Sequence, residues 1–114
     1  MKYDYPDEYY VSVTLEKPIL FKKKEGVDQA SIDIVEVIPI QDLYESHYLE
    51  IVSSIKDKDD EHRDHKATSR IIKSTIRDAR TGNALSPFAL DRLSLRHITQ
   101  ISKVIADDIE DPNE

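Results

Sequence analysis

The chain has 114 residues and a formal net charge of −7, with 39% apolar side chains, 34% charged side chains and no cysteine. This length corresponds to one domain, and the charged fraction predicts a small core under a large solvated surface. Disulfides and thiolate metal sites are excluded, and no stretch approaches the roughly 18–20 apolar residues of a membrane span. Because residues 1–8 also lack the apolar segment of a signal peptide, we expect a cytoplasmic protein.

The charges divide the chain into unlike parts. Residues 1–61 carry seven Lys/Arg and fifteen Asp/Glu, which gives −8, whereas residues 62–106 carry nine and three, which gives +6. Residues 107–114 carry five acids and no base. Such asymmetry either steers a partner or is neutralised inside the fold. We expect a flexible N-terminal arm at 1–10, whose four tyrosines could make it adhesive, then one domain at 11–106 and an acidic tail at 107–114.

Two extended segments open the predicted domain. Residues 11–15 alternate apolar and polar side chains, and residues 32–38 are rich in β-branched residues. Pro18 lacks an N–H group, which restricts it to an edge strand or a bulge. A turn at 22–26 separates the segments, so they should pair as an antiparallel β-hairpin that requires helices to cover it.

Helical patterns follow the hairpin. Apolar residues recur at helical spacing over roughly 40–56, and a second helix is predicted at about 67–80 with Gly82 as its C-cap. Ser86-Pro87 marks the start of a short helix, and Ser94 can cap a last one. Strands before helices indicate an α+β fold, with an N-terminal antiparallel β-hairpin followed by three to four α-helices.

No catalytic or cofactor pattern is found. His62 and His65 lie among acids and resemble metal ligands, but a run with no apolar residue from 56 to 66 has nothing to fix a coordination geometry. Two glycines are too few for a phosphate-binding loop, and no serine lies in a nucleophile elbow. We therefore predict a non-enzymatic protein without metal or cofactor.

Two helix faces are candidate partner-binding sites. A basic stripe on the second predicted helix is either an anion-binding surface or simply its solvated side; it consists of Arg70, Lys73, Arg77 and Arg80. The apolar stripe of the last helix either fills the core or is left for a partner helix; it consists of Ile98, Ile101, Ile105 and Ile109.

Three segments resemble the small tail assembly chaperones of tailed bacteriophages, a family that includes the Mu-like tail proteins. Residues 13–19, VTLEKPI, are similar to the opening V-T-L-x-x-P-I of the family. Residues 37–43, VIPIQDL, match its strand–proline–Asp-Leu junction, and residues 85–98, LSPFALDRLSLRHI, resemble the segment before its closing helix. The resemblance covers roughly residues 11–106.

This resemblance implies a chaperone, made in the bacterial host cytoplasm, that binds the phage tape measure protein and keeps it soluble during tail morphogenesis. Self-association is possible, and no membrane contact is expected. The alternative is a small nucleic-acid-binding regulator that uses the basic stripe, although a net charge of −7 makes nucleic acid an unfavourable partner.

Overall fold

The computed structural model describes residues 3–22, 29–55 and 63–107, and it confirms the α+β fold with an N-terminal antiparallel hairpin followed by helices. The strands are β1 (Val11–Lys22), β2 (Gln29–Val37) and the two-residue β3 (Arg77–Asp78). The helices are α1 (Glu45–Ser53), α2 (Arg63–Thr75), α3 (Pro87–Leu90) and α4 (Leu95–Asp107). In the described part of the chain the sheet is antiparallel with the order β1-β2-β3, so the predicted hairpin forms its larger part.

Pro18 lies in a bulge of an edge strand, which confirms both roles expected of it. The pairing of β1 with β2 runs to Thr14 opposite Ile34 and resumes at Ile19 opposite Ile32, so residues 15–18 of β1 face the single residue Asp33. This shift lets Ile19 and Ile32 face the core together, although Ile32 is out of phase with the other buried residues of β2.

Helix α4 ties the bulge through its side chains. The amide group of Gln100 accepts the N–H of Glu16 at 3.0 Å and donates to the carbonyl of Thr14 at 2.8 Å. Nε2 of His97 lies 2.8 Å from the carbonyl of Lys17, to which it donates. These bonds satisfy backbone groups on the free edge of β1, where an unprotected strand would pair with another chain.

The start of α4 is held by a reciprocal pair of hydrogen bonds. The hydroxyl of Ser94 accepts the N–H of His97 at 3.2 Å, and Nδ1 of His97 accepts the N–H of Ser94 at 3.0 Å. His97 thus plays the part that glutamate or glutamine plays in a capping box. The predicted start of α3 is also confirmed, because Ser86 accepts the N–H of Ala89 and Pro87 is the first helical residue.

The predicted second helix is wrong at its C-terminal end. Helix α2 ends at Thr75, and Arg77 pairs with Glu36 in the sheet. Gly82 does have a positive φ of 75°, but its N–H closes a turn onto the carbonyl of Asp78 at 2.8 Å and does not cap a helix. Residues that appear helical by periodicity therefore form β3 and its turn.

The first helix is shorter than the range of about 40–56 that its apolar spacing predicts. Residues 40–42 form a 3₁₀ turn after Pro39, and α1 begins only at Glu45. The charged run at 56–62 lies outside the described residues. The core between sheet and helices includes Val13, Leu15, Ile19, Ile32, Val35, Val37, Ile38, Leu43, Ile71, Ile72, Ile76, Leu85, Ala89, Ile98, Ile101 and Ile105.

Candidate partner-binding surfaces

The apolar stripe of α4 is part of the core. Ile98, Ile101 and Ile105 are buried, with at most 5% of each residue exposed. They pack with residues of the sheet and of α2 because one face of α4 lies over β1 and α2. The structure therefore agrees with the first interpretation of this stripe, in which it fills the core. These three residues present no surface to a partner. Ile109 lies outside the described residues.

The four cations of the predicted basic stripe do not share a helix face. Arg70 and Lys73 are exposed on α2, whereas Arg77 belongs to β3 and Arg80 to the turn that follows. Arg80 forms an ion pair with Asp33 at 3.0 Å, and Arg70 donates to the hydroxyl of Ser54 at 2.6 Å. The predicted stripe assumes a helix that continues to residue 80. Helix α2 ends two residues before Arg77, so Arg77 and Arg80 lie outside it.

Arg77 is enclosed by partners. Its guanidinium donates to Glu36 at 2.7 Å and to Asp7 at 3.1 Å, and it lies 3.6 Å from the centre of the Tyr10 ring. Burial acts to lower the pKa of Arg77, but the hydrogen bonds to the two carboxylates outweigh it and raise the pKa. The side chain ties residues 7–10 to the sheet and is not available to an external anion.

Metal binding has no geometric support in the described residues. No group of three or more His, Cys, Asp or Glu side chains converges there as a metal site. His65 is exposed in the first turn of α2, and His62 lies outside the described residues.

An open groove, lined by four apolar and four polar residues, lies where the hairpin meets α3. We call it the hairpin groove; it has a volume of about 740 Å³ and is lined by Leu20, Phe21, Lys22, Gln29, Pro87, Phe88, Asp91 and Arg92. Leu20 is 50% exposed and Phe88 is 49% exposed. Their neighbours Ile19 and Ala89 are fully buried, so Leu20 and Phe88 are the apolar residues of these elements that face outward.

The groove continues past its two phenylalanines. A second hollow of about 440 Å³ adjoins it at Phe21 and Phe88 and extends to Ile32, Ala84 and Leu85. Charged residues line both hollows, with Lys22, Asp91 and Arg92 in the first and Asp78 in the second. A concave, largely apolar surface with a few polar groups is typical of a binding site.

Sequence reasoning did not find this groove, although one signal pointed to it. Leu20 follows the buried Ile19 in an extended strand, so strict alternation sets an apolar side chain on the outer face. The nearness of Phe88 to Leu20 has no local signal, because it depends on how α3 packs against β1.

The N-terminal segment expected to be a flexible arm is docked in the structure from Tyr3 onward. The hydroxyl of Tyr5 accepts the N–H of Tyr44 at 3.0 Å and donates to Nδ1 of His47 at 2.8 Å. The Tyr5 ring stacks on Tyr44 with centroids 4.4 Å apart, and Tyr3 stacks on His47 at 4.3 Å. Termini fray only when nothing anchors them, and His47 is an anchor that lies 42 positions from Tyr5 in the sequence.

His47 is buried under these tyrosines. Burial lowers its pKa, although the charge of Glu50 acts in the opposite direction. Burial likewise raises the pKa of Tyr5, against the effect of the hydrogen bond from the Tyr44 backbone. Both shifts favour the uncharged forms, which the hydrogen bond from hydroxyl to imidazole requires.

Comparison with known proteins gave no match to any family model, curated protein or solved structure. Within the described segments, each helix is too short or too polar to cross a bilayer.

Proposed function

We propose that this protein is a tail assembly chaperone that binds the phage tape measure protein and keeps it soluble until tail-tube subunits assemble around it. The observation that carries the proposal is the hairpin groove, where two half-exposed apolar side chains, Leu20 and Phe88, line a depression that no part of the described chain covers. The resemblance of residues 13–19, 37–43 and 85–98 to the chaperone family supports the tape measure protein as the client.

The groove suits an apolar helical stripe. Its volume is in the range that holds a few buried side chains, and client helices with exposed apolar stripes aggregate unless they are covered. Lys22 and Arg92, which line the groove together with Asp91, keep the surface soluble when no client is bound and can pair with acids on a client helix.

The expected affinity is modest. Burying the remaining exposed half of Leu20 and of Phe88 would contribute about 1 kcal/mol each. One chaperone molecule would therefore hold its site weakly, and a long client would be covered by several molecules. Weak binding at each site lets tube subunits displace the chaperone, which an assembly factor requires.

Co-expression tests this function. A fragment of the tape measure protein encoded in the same genome should be insoluble alone and become soluble when this chain is present, and it should co-purify with it. An unrelated acidic protein of similar size is the control. If the fragment remains equally insoluble with this chain, the proposed function is refuted.

The alternative as a nucleic-acid-binding regulator loses its motivating feature. It required four cations on one helix face, and Arg77 is instead held by Glu36 and Asp7. No other described surface favours it, so we do not propose it.

A further inference from the structure

A second exposed surface is distinct from the hairpin groove. Tyr9, Tyr44 and Tyr48 are exposed to 37%, 38% and 38%, and we call them, with the half-buried Tyr5, the tyrosine face. Tyr5 joins the face, since its ring centroid lies 4.4 Å from that of Tyr44 and 6.4 Å from that of Tyr9. Tyr48 follows Tyr44 by one helical turn, with its N–H bonded to the carbonyl of Tyr44.

The tyrosine face is held in place before any partner binds. Tyr5 is fixed at its hydroxyl by Tyr44 and His47, and its ring supports Tyr44 by stacking. Tyrosines present a large contact area with few rotatable bonds, so an ordered set costs little entropy when a partner binds. For this reason tyrosine is enriched at protein interfaces.

The two segments that carry this face contain acidic charges only, and Lys73 and Arg77 approach it on the side of Tyr5 and Tyr10. Residues 3–10 and 40–52 contain six acids and no lysine or arginine. Glu8, Asp42 and Glu45 are exposed, and none of them pairs with Arg77, Arg80 or Arg96, whereas Asp7 of the same segment pairs with Arg77. An aromatic surface bordered by unpaired carboxylates is complementary to a cationic partner.

The same part of the fold already binds one arginine by this chemistry. The guanidinium carbon of Arg77 lies over the ring of Tyr10 at 3.6 Å while Asp7 and Glu36 accept its N–H groups. Tyr10 and Asp7 belong to the same docked segment as Tyr9 and Glu8. The neighbouring exposed tyrosines and carboxylates thus offer an incoming guanidinium the same two kinds of contact.

We propose that the tyrosine face is a docking site for an arginine-bearing segment of another protein, with guanidinium groups stacked on Tyr9, Tyr44 and Tyr48 and paired with Glu8, Asp42 and Glu45. Arginine suits this surface better than lysine, since its planar group both stacks on rings and pairs with carboxylates. This site does not depend on the chaperone role or on the hairpin groove.

Fluorescence anisotropy with the full chain tests the site. The probe is a fluorescein-labelled helical peptide of leucine and arginine, and matched peptides carry lysine or glutamate in place of arginine. The arginine peptide should bind most tightly, the glutamate peptide should not bind, and salt should weaken the binding of the arginine peptide.

Variants locate the binding on the protein. Tyr48→Ala should weaken binding roughly fivefold through the lost ring, and Glu45→Lys roughly tenfold through charge reversal. Glu16→Lys, an equal charge change at the β1 bulge, is the matched control and should stay within about twofold. Leu20→Ser should also leave peptide binding unchanged, which separates this site from the chaperone proposal. Circular dichroism verifies that each variant is folded.

Three results would overturn the inference. The first is equal binding of the glutamate peptide, and the second is unchanged affinity in both Tyr48→Ala and Glu45→Lys. The third is a concentration-dependent self-association, seen by sedimentation velocity, that Glu45→Lys abolishes, because the face would then be occupied by a second copy of this chain.

Discussion

Helix α4 carries the apolar stripe that the sequence made a candidate for partner binding, whereas the hairpin groove carries apolar residues that it did not, and the two sets are buried to different extents. Ile98, Ile101 and Ile105 follow the helical period and fill the core. Leu20 and Phe88 are out of phase with their buried neighbours and remain half-exposed. The regular apolar stripe thus stabilises the domain, and the irregular apolar residues are the ones left for a partner.

Ile101→Ala should have the largest effect on stability, because it removes a fully buried side chain between α4, α2 and the sheet. We expect the free energy of unfolding to fall by about 3 kcal/mol. Urea denaturation followed by circular dichroism measures it, with Leu95→Ala, at a residue that is 71% exposed, as the matched control. A loss below about 1 kcal/mol would show that α4 does not belong to the core.

His97→Ala should cost about 2 kcal/mol, since it removes the acceptor of the Ser94 N–H, which is one half of the reciprocal cap of α4, and the donor to the Lys17 carbonyl. His97→Glu separates the two roles, because a carboxylate can accept the N–H of Ser94 but cannot donate to Lys17. Its loss, measured in the same denaturation assay, should be about half that of alanine. Equal losses for the two variants would show that the cap contributes nothing.

Tyr5→Phe should cost about 1 kcal/mol, since the N–H of Tyr44 and Nδ1 of His47 both lose their partner while ring stacking is kept. Hydrogen exchange at the Tyr44 amide should accelerate in the variant. Tyr9→Phe, at an exposed hydroxyl of the same segment, is the control. Unchanged exchange in Tyr5→Phe would contradict the docking of residues 3–10.

The burial of His47 and its hydrogen bond with Tyr5 should also make the free energy of unfolding depend on pH. Burial lowers the pKa of His47 below its ordinary 6.5, so the unfolded chain binds a proton at a higher pH than the folded chain does. The contribution of His47 is therefore complete above pH 6.5 and is lost as the pH falls towards the lowered pKa. In urea denaturation at several pH values across this window, wild type should lose more stability than His47→Phe. An equal pH dependence of the two proteins would contradict the burial of His47 as an uncharged imidazole.

The groove residues should have the smallest effect on stability. Leu20→Ser and Phe88→Ser each remove an apolar side chain that is already half in water, so each should lower the free energy of unfolding by about 1 kcal/mol or less, the contribution of its buried half. Thermal melting measures this, and a large loss would place both residues in the core with Ile101.

Local chemistry made part of this fold predictable from sequence. Ser86-Pro87 and Ser94 correctly predicted two helix starts, because capping depends on neighbouring residues. Pro18 predicted an edge strand or a bulge because it lacks an N–H group, and the structure has both.

The features that sequence patterns missed depend on contacts between distant residues. Arg77 leaves the helical pattern because Glu36, 41 positions earlier, and Asp7, 70 positions earlier, hold it in the sheet. Residues 3–10 dock because His47 receives Tyr5. The hairpin groove forms only because Leu20 and Phe88 lie close together in the fold. The periodicity within β1 or within α3 does not predict that proximity.

The affinity for a purified tape measure fragment is the most direct test of the hairpin groove as the client-binding surface. The Leu20→Ser/Phe88→Ser double variant should bind the fragment at least about tenfold more weakly than wild type, while its circular dichroism spectrum stays that of the folded wild type. The control Leu95→Ser, which removes an exposed leucine outside the groove, should bind as wild type does. Equal affinity of wild type and the double variant, or an equal loss in Leu95→Ser, would contradict it.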